Sequence, residues 1–109
     1  MLHTDYKFGE AINLKSQIEV NPTKVAFKEI FSNENGGVVL LGFEKDQELA
    51  EHLAPAELMV TVLEGEIEFS VNGKPSILKD GDFLLVGKDV AHSVKAHSNA
   101  KVMLTKIKA

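Results

Sequence analysis

His52 and His92 are the side chains best suited to chemistry in this 109-residue chain, because they bracket its most regular stretch, Glu51 to Ala96. An imidazole can offer a nitrogen donor to a divalent cation or exchange hydrogen bonds with a small polar ligand, and its charge changes near neutral pH. Two imidazoles turned into one pocket could do either together. Glu57 is the acidic side chain to set beside them, since a carboxylate next to imidazole can act as a third metal ligand or as a general base. The chain has no cysteine, which excludes disulfides, thiolate nucleophiles and cysteine-held zinc. Any metal would therefore rest on nitrogen and oxygen donors.

Strands are the elements that must position these groups. Turn signals recur at Asn21-Pro22, Asn33 to Gly37, Asn72-Gly73, Asp80-Gly81 and Ser98-Asn99, the rhythm of an all-β sandwich or barrel. Glu66 to Val71 alternates strictly, with Ile67, Phe69 and Val71 on one face and Glu66, Glu68 and Ser70 on the other, as a half-buried strand requires. Asn72-Gly73 then supplies the two residues tolerant of positive φ that a tight hairpin needs. Gly37 to Phe43 and Phe83 to Val86 are continuous apolar runs, which predict strands covered on both faces. Lys101 to Lys108 alternates again, with Val102, Leu104 and Lys106 opposite Met103, Thr105 and Ile107. Gln47 to Met59 is built largely from helix formers, yet Pro55 removes a backbone donor and drives Ala54 towards an extended conformation. Two strands meeting at a corner marked by Pro55 are the preferred reading. Leu58, Val60, Val62, Ile67, Phe69, Val71, Phe83 and Leu85 are expected to fill the core and line the barrel.

Size and composition bound the rest. The chain is of the usual single-core size, and residues 1–109 show no linker, repeat or low-complexity stretch, so one domain is expected. Residues 1–20 are weakly periodic and predict an edge strand or an arm exchanged in a dimer. The net charge of −4 argues against a nucleic-acid partner, whose sequence-independent binding depends on clustered Lys and Arg. The opening MLHTDYKFGE has no apolar core after a basic start, and no window reaches the roughly 18 apolar residues of a membrane span. No membrane partner and a cytoplasmic location are expected.

The stretch EHLAPAELMVTVLEGEIEFSVNGKPSILKDGDFLLVGKDVAHSVKA resembles the small single-domain cupins. The resemblance implies an all-β double-stranded β-helix, or jelly-roll barrel. Cupins carry a first motif G-x5-H-x-H-x3,4-E-x6-G and a second, G-x5-P-x-G-x2-H-x3-N. In that register His52 is the first histidine, Gly65 the closing glycine of VLEGE, Gly81 the glycine opening the second motif and His92 its histidine. The second histidine of the first motif falls at Ala54, and its acid falls at Leu58. Gly87 and Asp89 replace the proline and glycine of the second motif, and Ala96 its asparagine. Of the family's four metal ligands, His52 and His92 remain. Alternation along the strands turns 52, 54, 58 and 92 inwards and Glu57 outwards, unless a bulge near Pro55 shifts the register. His97 is expected beyond its strand and facing solvent.

Three classes of function follow. The first is a binding module in which His52, His92 and Leu58 face a small polar ligand in the barrel mouth. The second is a metal-dependent cupin enzyme of the oxygenase or isomerase type, with zinc, iron, manganese or nickel held by His52, His92 and Glu57 together with water. The third is a non-catalytic structural protein whose barrel chiefly builds a homodimer. A homodimer is expected in any of them, because the apolar runs exceed what one small barrel covers and sheet edges invite pairing. Fold-level analogy alone does not choose among these classes.

Overall fold

The computed structural model describes residues 1–108 and consists of nine antiparallel strands and one short 3-10 turn, Lys15–Gln17. The strands are β1 (Ala26–Asn33), β2 (Gly36–Phe43), β3 (Glu48–His52), β4 (Ala56–Glu64), β5 (Glu66–Val71), β6 (Lys74–Lys79), β7 (Phe83–Val86), β8 (His92–Ala96) and β9 (Ala100–Lys108). They form a five-stranded sheet, ordered β1-β2-β9-β4-β7, packed on a four-stranded sheet, ordered β3-β8-β5-β6. Apart from the β1–β2 and β5–β6 hairpins, chain neighbours alternate between the sheets, as in a jelly roll. Among the described residues no helix is long and apolar enough to cross a membrane.

Period-two patterning explains most of this. Ile67 and Phe69 of β5 point into the space between the sheets, where they meet Val60 and Val62 of β4, Val102 of β9 and Phe43 of β2, all essentially inaccessible to solvent. The Asn72-Gly73 turn joins β5 to β6 with both residues at positive φ, 51° and 78°, the conformation whose twist matches a two-residue hairpin. Pro55 lies between β3 and β4, so the helix formers around it are extended. Their propensity yields to pairing in two different sheets, β3 with β8 and β4 with β9.

Two expectations are corrected. Phe83 to Val86 is not covered on both faces: β7 is the edge of its sheet, and pairing with β4 turns Leu84 and Val86 inwards while Phe83 and Leu85 point outwards, 57% and 67% exposed. Phe83 and Leu85 therefore leave the core list. The N-terminal segment forms no edge strand. One bridge joins His3 to Ser32, Thr4 donates to the Ile30 carbonyl, and Ile18 is buried against β2. Gly42 permits that approach, because a Cβ there would lie 3.0 Å from the Glu19 oxygen and 3.2 Å from Ile18 Cγ1. This segment packs on β2 at Gly42, and of the run Gly37 to Phe43 expected to be covered on both faces, Leu40 to Phe43 are buried while Gly37 to Val39 are half-buried.

Candidate functional site

One irregularity aims the first histidine. In the β3–β8 ladder Leu49 faces Val94 and His52 faces His92, so three steps along β3 match two along β8. The extra residue is a β-bulge, and it puts Leu49 and His52 on the same inward face despite their odd spacing. An unbroken strand would turn His52 outwards.

The two rings lie side by side. Their centroids are 4.2 Å apart with planes at 64°, and His92 also stacks on Phe69 at 5.8 Å and 11°. His92 is only 4% exposed, whereas His52 reaches solvent at the mouth. Each Nδ1 lies 2.9 Å from the carbonyl oxygen two residues earlier, Ala50 for His52 and Val90 for His92. A carbonyl can only accept, so each Nδ1 carries a hydrogen and donates it. In the neutral ring this leaves Nε2 as a lone pair, and the backbone thereby selects one tautomer for both rings.

Both histidines line a cavity of about 610 Å³ between the sheets. That volume lies within the range of small-molecule sites. Leu58, Val60, Phe69 and Leu104 supply apolar wall, and Ala54 and Pro55 border the mouth. The structure therefore brings His52, His92, Ala54 and Leu58 to one space, as expected, with the β3 bulge turning His52 inwards.

Glu57 does not join them. β4 pairs with β9 in continuous register from Ala56 to Val62, so Glu57 stands opposite Ile107 on the outer face and is exposed. The bulge that could have turned it inwards lies in β3 instead, where it acts on His52. His97 sits past β8 as expected, but it is held by carboxylates, with Nδ1 3.2 Å from Glu66 and Nε2 3.4 Å from Glu68. It is not among the residues that line the cavity.

The residues present do not complete a metal centre. A divalent transition metal is held by three or four protein donors in most sites, and here the motif positions carry two imidazoles, with Ala54 and Leu58 in the other two places, while the one carboxylate of the lining, Glu29, stands on β1. Among the described residues no group of three or more His, Cys, Asp or Glu side chains is gathered to hold an ion.

Sequence reasoning missed the charged rim. Lys106 and Lys108 of β9 and Glu29 of β1 also line the cavity. The alternation of Val102, Leu104 and Lys106 contained the signal, since continuing the inward face of β9 reaches both lysines.

The backbone of the two motifs is kept more fully than their donors. The glycine positions of the two motifs are occupied by Asp46, Gly65, Gly81 and Asp89, and all four have positive φ, from 59° at Asp89 to 93° at Gly65. Aspartate is among the few residues other than glycine that adopt this conformation readily.

Comparison with known proteins agrees with this geometry. A conserved protein of unknown function from Streptococcus pyogenes superposes with a TM-score of 0.89 at 17% identity, over 97% of this chain and 93% of that one. An RmlC-like cupin from Desulfovibrio desulfuricans gives 0.81 at 28% identity, over 90% and 95%. A cupin 2 conserved barrel domain protein from Leptotrichia buccalis gives 0.85 at 32% identity, over 89% of this chain and 47% of that longer one. No curated protein matches the sequence. Residues 39–107 match the cupin domain family, from within β2 to within β9, and the chain belongs to that family.

Proposed function

We propose that this cupin domain is a binding module whose inter-sheet cavity holds a small organic molecule, with the polar part of the ligand met by His52 and His92. The observation that carries this reading is the cavity of about 610 Å³ with both imidazoles on its wall in one backbone-selected tautomer. Two acceptors fixed at the edge of an apolar chamber suit a ligand with an apolar body and a hydrogen-bond donor, because the walls reward burial and the rings orient the molecule.

The test is a thermal-shift screen against small metabolites, followed by titration of any hit. A true ligand at a hundred times its Kd adds about 2.7 kcal/mol of stability and raises the melting temperature by roughly 10 °C or more. His52→Ala and His92→Ala should each weaken binding about tenfold, the size of one lost hydrogen bond with its packing. Hits whose affinity ignores both substitutions would defeat the proposal.

We also infer a homodimer, built through the β7 edge rather than through exchange of the N-terminal segment. The supporting observation is an outward apolar pair, Phe83 and Leu85, on a strand with one free edge. An antiparallel pairing of β7 with its two-fold copy satisfies the edge and sets Phe83 and Leu85 beside their copies across the new strand pair. Sedimentation at micromolar concentration should give about twice the chain mass of 11.9 kDa, and Leu85→Lys should shift it to monomer. A monomeric parent chain would remove this inference.

A further inference from the structure

Lys106 and Lys108 are two inward positions at the open end of β9, the strand whose deeper inward residues, Val102 and Leu104, are apolar cavity wall. In the ladders Lys106 stands between Gly37 of β2 and Leu58 of β4, and Lys108 stands beside Ala56. Gly37 beside Lys106 and Ala56 beside Lys108 are small and leave the stems room to lie along the wall with their ammonium groups at the rim, the usual arrangement of a long cationic side chain at an apolar surface. Neither lysine forms a salt bridge among the described residues, although the chain as a whole carries four more acidic than basic side chains. Glu29 is the one carboxylate of the lining, and it stands on β1, two strands away from β9. Two ammonium groups against one carboxylate leave the mouth with a single net positive charge on a protein whose net charge is −4.

We infer that the ligand of this cavity is a small monoanionic organic acid, with its carboxylate at Lys106 and Lys108 and its apolar body against Leu104, Leu58 and Phe31. This inference rests on the binding reading above and adds the chemical class of the ligand. One surplus positive charge matches a singly charged carboxylate. A carboxylate also accepts hydrogen bonds from ammonium donors and has no polar demand on its apolar end, which the walls could not meet. Histidine Nε2 lone pairs serve a second point on the molecule, a hydroxyl or amine donor where the acid carries one.

The experiment compares three probes that share one body and differ in head charge: 3-phenylpropionate, 3-phenyl-1-propanol and 3-phenylpropylamine. Each is titrated into the full chain by calorimetry, with amide NMR shifts locating the site. The expected order is acid, alcohol, amine, with the acid about tenfold tighter than the alcohol at low salt, since a partly exposed pair of charge contacts contributes about that factor. The gap should close in about 0.5 M salt, where the screening length falls to a few ångströms. Lys106→Gln with Lys108→Gln should abolish the gap while leaving the alcohol unchanged, and Glu29→Gln should widen it. Equal affinities for acid and alcohol, or a gap that survives the lysine double variant, would overturn the inference and leave the cavity reading intact, provided amide shifts still place both probes in the cavity and His92→Ala weakens the alcohol. Binding of none of the three, or binding that moves no cavity resonance, would overturn the inference and count against the cavity reading as well.

Discussion

Replacing Gly65 by alanine is expected to destabilise the domain by about 3 kcal/mol, near the upper end for a single surface-turn substitution, and to lower the melting temperature by roughly 15 °C. Two costs combine. Gly65 joins β4 to β5 with a φ of 93°, where an L side chain meets its own backbone at a cost of about 1 to 2 kcal/mol. In addition a Cβ at this position would overlap the Asn99 carbonyl oxygen and approach Ala100 Cα and Cβ to 2.8 and 2.9 Å. Both neighbours are held, Asn99 by its side chain accepting from the Lys45 amide and Ala100 by the β2–β9 ladder. The Gly65 amide itself donates to Asp80 at 2.7 Å, so a shift to relieve the clash would strain that bond too. Gly73→Ala separates the two costs, because Gly73 has a similar φ of 78° but open space around its Cβ position. Urea unfolding of both variants should give about 1 kcal/mol for Gly73→Ala and clearly more for Gly65→Ala. Equal values would mean that contact with Asn99 and Ala100 adds nothing.

The contrast between these two glycines also shows which parts of the molecule were legible in the chain. Asn72-Gly73 is a local signal: two adjacent residues determine the turn, and the alternation of Glu66 to Val71 determines which face follows it. Pro55 was equally local, and it outweighed the helix formers around it. The motif spacing placed His52, Ala54, Leu58 and His92 in one space, and for Leu58 the reason is local, because β4 keeps its period-two register from Ala56 to Val62. What escaped was non-local. The bulge between Leu49 and His52 exists only relative to β8, so no residue in β3 announces it. The apolar run Phe83 to Val86 looks the same whether its strand is central or at an edge, and sheet order alone decides that Phe83 and Leu85 face outwards. Lys106 and Lys108 looked like ordinary surface lysines, since their place at a cavity mouth depends on where β9 leaves the core.

The same geometry yields the largest effect expected of any substitution, a gain of metal binding. Ala54→His combined with Leu58→Glu should give a chain that takes up zinc or manganese to near one equivalent, whereas the parent chain should remain far below one. The two added groups stand where the cupin motif has its other histidine and its acid, and both positions line the cavity beside His52 and His92. The histidine tautomer is already suited to the task, because Nδ1–H is held by a backbone carbonyl and Nε2 is left to donate its lone pair. Four donors in place of two should lower the metal Kd by several orders of magnitude, since each repays part of the ion's lost hydration only when the others hold it in place. Without metal the double variant should be less stable by a few kcal/mol, because Leu58 is 8% exposed and a carboxylate there is desolvated without a partner. Metal at a thousand times its Kd should return about 4 kcal/mol, so the melting temperature becomes metal-dependent in the variant alone. Elemental analysis of protein purified without chelator gives the first reading and calorimetric titration the second. Stoichiometric metal in the parent chain would show that two imidazoles and water suffice and would restore the enzyme reading. A double variant that folds yet takes up no metal would show that 54 and 58 do not converge on the histidine pair, and the geometry on which the site rests would need to be redrawn.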